Sequence, residues 1–144
     1  MYKKIIFIFL ISSLVISLIL IESEDYNSLN NLKELLNQTE VMIVCPYNSQ
    51  EPFEVCKSEE IIKTISDKEK IEKIISLITP LEESNGTSTM VGAGEVVHTF
   101  DSDGNFLLNI FFSPYIGLEK GNSHYRLKSE NNEYILHLAS LIKG

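Results

Sequence analysis

The chain has 144 residues, 44% of them hydrophobic, which is enough for one domain and one core. Two of its twelve basic residues, Lys3 and Lys4, stand at the start, so residues 22–144 carry 10 basic against 20 acidic side chains, net −10. A body with that balance repels nucleic acid, holds no polybasic lipid-binding cluster, and draws cations or basic partners.

Residues 1–23 come first. Lys3 and Lys4 precede an unbroken run, Ile5 to Ile21, of apolar residues and three serines. A charged start followed by an apolar core is a secretory signal pattern. As a helix the run would reach ~25 Å, the lower limit for a ~30 Å hydrocarbon core. The cut sites, Ile21-Glu22-Ser23 or Val15-Ile16-Ser17, match the small-residue rule poorly, which favours an uncleaved signal-anchor over a cleaved signal peptide. Lys3 and Lys4 would then stay inside, with the bulk of the chain extracytoplasmic, or the chain is secreted. No cysteine follows the apolar run, which excludes a bacterial lipid anchor there.

Residues 24–39 read as a linker and a short helix, with Leu29, Leu32, Leu35 and Leu36 on one side. Glu40–Cys45 and Phe53–Cys56 read as strands around a turn bracketed by Pro46 and Pro52. Glu60–Ile65 reads as a further strand. Ser66-Asp67-Lys68-Glu69 forms a capping box with Ser66 as the cap, and Ile71, Ile74, Ile75 and Ile78 make the apolar stripe of the helix it opens. Pro80 ends that helix. Residues 82–95 form a loop entering a strand over Val96–Phe100. Asp101-Ser102-Asp103-Gly104-Asn105 is a hairpin turn. In the next strand Phe106, Leu108, Ile110 and Phe112 share one face, and Leu107, Asn109 and Phe111 the other. Strands near Tyr115–Glu119 and Ser123–Lys128 flank the turn Lys120-Gly121-Asn122. Ser129 caps a last helix with Tyr134, Leu138 and Leu141 or Ile142 on its apolar face. The expected fold is α+β: an N-terminal hydrophobic helix, then an antiparallel sheet of four to six strands with two or three packed helices, residues 40–144 forming a single domain.

Ile65-Ser66-Asp67-Lys68-Glu69-Lys70-Ile71, Phe100-Asp101-Ser102-Asp103-Gly104-Asn105 and Tyr125-Arg126-Leu127-Lys128 form a pattern across residues 60–144. In it the chain resembles small exported proteins and lipoproteins of Gram-positive bacteria. It departs from them by lacking the lipid-attachment cysteine. The resemblance implies an envelope location and a fold, and it transfers no catalytic residue.

Cys45 and Cys56 are the most informative pair. A symmetric hairpin about Gln50-Glu51 sets them opposite each other, within reach of a disulfide, and an extracytoplasmic address allows the oxidised form. The competing reading is two free buried thiols. Ten intervening residues argue against a redox pair, and two cysteines alone make no zinc site. Asp101, Asp103 and Asn105 resemble the start of a calcium loop, but Gly104 stands fourth rather than sixth, so the hairpin turn is preferred. His98, His124 and His137 fall on two strands and the last helix, and nothing in their spacing gathers them around a metal. Gly92-Ala93-Gly94 precedes a strand and is no phosphate loop. Glu59-Glu60 and Glu82-Glu83 are sequence neighbours that need not converge across a cleft. Asn37-Gln38-Thr39 and Asn85-Gly86-Thr87 match glycosylation acceptors.

No catalytic, cofactor-binding or metal residue is assigned. The expectation is a membrane-anchored or secreted envelope protein. Residues 5–21 meet the membrane, and a non-enzymatic domain binds an extracytoplasmic protein or ligand. The alternatives are a small extracytoplasmic hydrolase without a recognised motif and a cation-binding regulatory domain.

Overall fold

The computed structural model describes residues 28–47, 54–84, 94–112, 115–128 and 132–144. The hydrophobic segment at residues 1–23, the Ser129 cap, most of the Gly92-Ala93-Gly94 stretch and the Asn85 acceptor lie outside them. Among the described residues no helix is long and apolar enough to cross a membrane.

Helix α1 spans Leu29–Leu36. The Ser28 side chain accepts from the Asn31 amide at 3.2 Å, satisfying one of the donors that a helix start leaves free. Strand β1, Val41–Pro46, follows, and then a 3₁₀ turn at Ser58–Glu60 and the three-residue strand β2, Lys63–Ile65. Helix α2, Lys68–Ile78, is capped by Asp67, whose carboxylate accepts from the Lys70 amide at 2.9 Å. The cap is therefore one residue later than the expected Ser66. A carboxylate caps as well as a hydroxyl, and its charge also suits the positive helix end. The burial of Ile71, Ile74 and Ile78 is as the spacing predicts. Strands β3 (Glu95–Phe100), β4 (Phe106–Phe111), β5 (Ile116–Lys120) and β6 (Ser123–Leu127) form a meander, and helix α3, Asn132–Lys143, closes the chain.

The sheet is antiparallel throughout, in the order β2-β1-β3-β4-β5-β6. Both β2 and β3 run against β1, so α2 carries the chain across β1 between two parallel strands. This arrangement rules out the expected hairpin of Phe53–Cys56 on β1. A strand has two edges, and those of β1 are taken by β2 and β3. Glu54 to Cys56 accordingly lie outside any strand.

All three helices cover one face. Leu32, Leu36, Ile71, Ile74, Ile78, Leu138 and Ile142 interlock there with Met42, Val44, Ile65, Val97, Leu108, Ile110, Phe112, Ile116, Leu118 and Leu127. Each such side chain contributes roughly 1.5–3 kcal/mol by leaving water. Tyr134 in α3 donates its hydroxyl hydrogen to the Leu77 carbonyl, tying α3 to the end of α2.

The register slips between His98 and Phe100, where Phe100 pairs with Phe106 although His98 pairs with Asn109. The slip turns Phe106 away from the helices, onto the side of His98 and Phe100, so it does not share the face of Leu108, Ile110 and Phe112 as strict alternation predicts. Thr99 sits at the slip. Its buried hydroxyl donates to the Leu108 carbonyl (2.9 Å) and accepts from the Leu108 amide (3.2 Å), replacing the ladder bonds that the bulge removes. Thr99→Val keeps the shape and strands both backbone groups. It is expected to cost about 1–3 kcal/mol, read as a lowered urea midpoint, and Thr99→Ser is expected to recover most of the loss.

Candidate functional site

The face turned away from the helices carries a different population. Directly paired residues on neighbouring antiparallel strands project to the same side. The register therefore lays out rows across the sheet. One runs Ile43, His98, Asn109, Glu119, His124, each paired with the next. The row beside it runs Cys45, Val96, Phe111, Gly117, Arg126. On its other side stand Phe100 and Phe106.

The first row is polar over four strands, and it is buried at His98, Asn109 and Glu119 and half-buried at His124. His98 is 0% exposed, Asn109 1% and Glu119 2%. His98 Nδ1 lies 2.7 Å from Asn109 Oδ1. An amide oxygen only accepts, so Nδ1 carries the proton and Nε2 is left as a lone pair. Nε2 has no hydrogen-bond partner among the described residues, and neither do Glu119 Oε2 or the two ring nitrogens of His124. Glu119 Oε2 and His124 Nδ1 stand 3.6 Å apart, too far for a hydrogen bond.

Aromatic rings border the row. Phe106 packs against His98 with centroids 6.4 Å apart, and Phe111 and Tyr115 lie 6.2 and 6.3 Å from the His124 ring. Gly117 makes room for two of them. A Cβ there would come within 3.3 Å of Tyr115 and 3.4 Å of His124. Arg126 stacks on Tyr115, 4.5 Å from its centroid.

Burial holds the His98 imidazole below its ordinary pKa, and the Asn109 hydrogen bond opposes that shift only in part. The unfolded chain takes up this proton near ~6.5, the folded chain only at lower pH. Between the two values the unfolded state binds more protons, so stability falls as the pH drops. Urea midpoints measured from pH 7.5 down to 5 are expected to decline, and His98→Gln is expected to flatten the slope.

The structure brings His98 and His124 into one row and leaves His137 exposed on α3, on the helix side. Among the described residues no three His, Cys, Asp or Glu side chains gather to hold a metal. Asp101 is occupied by its own turn. It accepts from the amides of Asp103 (2.9 Å) and Asn105 (2.8 Å) and from the Asn105 side chain (2.9 Å), which hold its carboxyl below its ordinary range. Gly104, at φ +82°, completes the turn. Glu59 and Glu60 lie in the 3₁₀ turn and Glu82 and Glu83 beside β6, so neither pair joins the row. Asn37 caps the end of α1.

Cys45 and Cys56 are joined by a disulfide, Cα atoms 5.8 Å apart. Cys45 lies in β1 on the second face, packed with Val96 and Phe111, and the Cys56 amide donates to its sulfur at 3.3 Å.

Asn109 and Glu119 escaped the sequence reading as site residues. Their signal was a lone polar residue inside apolar strands, Leu107-Leu108-Asn109-Ile110-Phe111 and Ile116-Gly117-Leu118-Glu119. No protein-family model, curated protein or solved structure matches this chain.

Proposed function

We propose that this chain is an envelope protein. Its N-terminal segment inserts in a membrane, and its α+β domain, on the outer side, binds a ligand or partner through the second face of the sheet. The observation that carries the reading is the polar row His98, Asn109, Glu119, His124. Burying hydrogen-bonding groups without partners costs roughly 1–3 kcal/mol each, more for a charged one. A fold keeps such a row where something else supplies the missing bonds. The signal-like leader and the net charge of −10 over residues 22–144 support the address.

A photo-crosslinking residue tests the face directly. Placed at Phe106, 37% exposed on the second face, it is expected to capture an envelope component in intact cells. Placed at Leu136, 68% exposed on α3, it is expected to capture none. Equal capture at the two positions, or a chain recovered in the cytosolic fraction with both thiols reduced, overturns the reading.

A second reading, a small extracytoplasmic hydrolase, is supported by one observation. The lone pair of His98 Nε2 is held in a fixed orientation by Asn109, as a general base requires. Turnover of chromogenic ester or glycoside substrates, abolished by His98→Gln, is the result that would establish it.

A further inference from the structure

A cavity of about 200 Å³ lies where the chain passes from α1 into β1, against one side of α2. It shares no residue with the polar row, so it stands apart from the proposed binding face. Lys68, Ile71, Glu72 and Ile75, at helical spacing on α2, line it from one side. Asn37, Thr39 and Glu40 line it from the connection. That connection is fixed. The amides of Gln38, Thr39 and Glu40 donate to the carbonyls of Leu35, Leu36 and Phe100 at 2.9, 3.2 and 2.9 Å.

The lining divides by depth. Thr39 and Ile71 are buried and Ile75 is half-buried, which makes an apolar floor holding one hydroxyl. Asn37, Glu40, Lys68 and Glu72 are exposed and form the rim. Thr39 is 6% exposed, and its hydroxyl has no hydrogen-bond partner among the described residues. Thr79 and Thr99, by contrast, donate to backbone carbonyls at 2.8 and 2.9 Å. A buried hydroxyl without such a bond marks a place where a ligand can supply it. One staggered rotation exchanges the methyl and hydroxyl of Thr39, which brings the oxygen to the cavity at little change in shape.

The charges narrow the ligand. Two carboxylates against one ammonium leave the rim at −1, on a body of net −10, which opposes an anion and favours a cation. Lys68 stands 4.0 Å from Glu72 with both side chains largely exposed, so it occupies that carboxylate only loosely. A metal ion gains nothing from two isoleucines and is repelled by Lys68. A quaternary ammonium is recognised by aromatic rings, and no described residue lining the cavity is aromatic. A primary ammonium carries N–H donors for the carboxylates, and an aliphatic chain beside it matches the floor. At ~30 Å³ for a water-sized group, the space takes about six or seven non-hydrogen atoms.

We propose that this cavity binds a small primary ammonium compound with a short aliphatic body. The ammonium donates to Glu40, Glu72 and the Thr39 hydroxyl, and the aliphatic part rests on Ile71 and Ile75. A simple amine and an amino acid both carry that group. In an amino acid the carboxylate falls to Lys68 and the Asn37 amide.

The test uses the full chain in detergent, with butylammonium and valine as probes. Calorimetry and ligand-observed NMR are expected to show binding of at least one probe, which butyrate, tetramethylammonium and calcium do not displace. Glu40→Gln and Thr39→Val are each expected to weaken that binding by about fivefold or more. Glu40 is exposed and the Thr39 hydroxyl is unbonded in the fold, so neither variant is expected to lower the melting temperature. Lys68→Met separates the two sources: it abolishes valine binding at an amino-acid site and leaves butylammonium binding intact at an amine site. No binding of either probe at millimolar concentration overturns the proposal, and so does displacement of the probe by any of the three competitors. Unchanged probe binding in both Glu40→Gln and Thr39→Val overturns it as well. So does a lowered melting temperature in Thr39→Val with probe binding intact, since the hydroxyl then serves the fold.

Discussion

Leu118→Ala is expected to lower stability by about 3–4 kcal/mol, more than the Thr99→Val change. Leu118 is fully buried at the middle of β5, between Ile110 on β4 and Tyr125 on β6, and it packs into the cluster that all three helices share. The backbone around it is fixed by ladders on both sides, so the site cannot collapse around the void. A domain of this size has a total stability of roughly 5–15 kcal/mol. The loss therefore takes a large share of it, and the melting temperature should fall by more than 10 °C. Leu118→Met, which keeps the volume, is expected to cost under about 1.5 kcal/mol. Urea unfolding of the three proteins checks this. A Leu118→Ala loss under 1 kcal/mol would show that the helices do not pack on β5 as described.

The parts of the fold legible in the sequence are those fixed by local periodicity. The stripe Ile71, Ile74, Ile78, the strand Val96–Phe100 and the two short strands on either side of the Lys120-Gly121-Asn122 turn follow from local pattern and turn signals, without reference to distant residues. The failures have a common physical cause, which is competition between strands and faces far apart in the chain. Phe53–Cys56 has strand-like residues, but the edge of β1 it needed is held by Lys63–Ile65. Phe106 alternates correctly by count, and the bulge opposite Thr99 reverses it. The disulfide was legible although the hairpin invoked for it was not, because bridging needs only proximity of two Cα atoms and not a ladder between them.

The candidate site shows the same division. His98 and His124 could be listed from the sequence, but nothing local sets them in one row. That depends on three successive registers, β3 on β4, β4 on β5 and β5 on β6. A shift of one residue in any of them would turn part of the row into the helix-side core, where Asn109 or Glu119 would displace Ile110 or Leu118. The apolar residues on the helix side therefore fix the polar residues on the other. Core packing selects the register, and the register assembles the site.

Removing the Cys45–Cys56 bridge is the second large effect expected. The two residues are 11 apart in sequence, and in the chain-entropy model closing a loop of that length is worth about 3 kcal/mol, by restricting the unfolded chain. The double variant Cys45→Ala/Cys56→Ala should melt roughly 10–20 °C lower than the parent. Part of that loss comes from Cys45 itself, whose sulfur fills space against Val96 and Phe111. The parent protein, unfolded and refolded in reductant, should melt between the oxidised parent and the double variant, since its thiols keep most of the packing and lose only the tether. A reduced parent that melts with the oxidised one would show that the bridge contributes nothing to the fold. The same bridge bears on the address. A domain that depends on it for about 3 kcal/mol is poorly suited to a compartment that keeps thiols reduced, and well suited to the outer side of a membrane. If the double variant expressed with residues 1–23 intact loses steady-state abundance in the envelope in proportion to its lost stability, the fold and the proposed address are linked through one covalent bond.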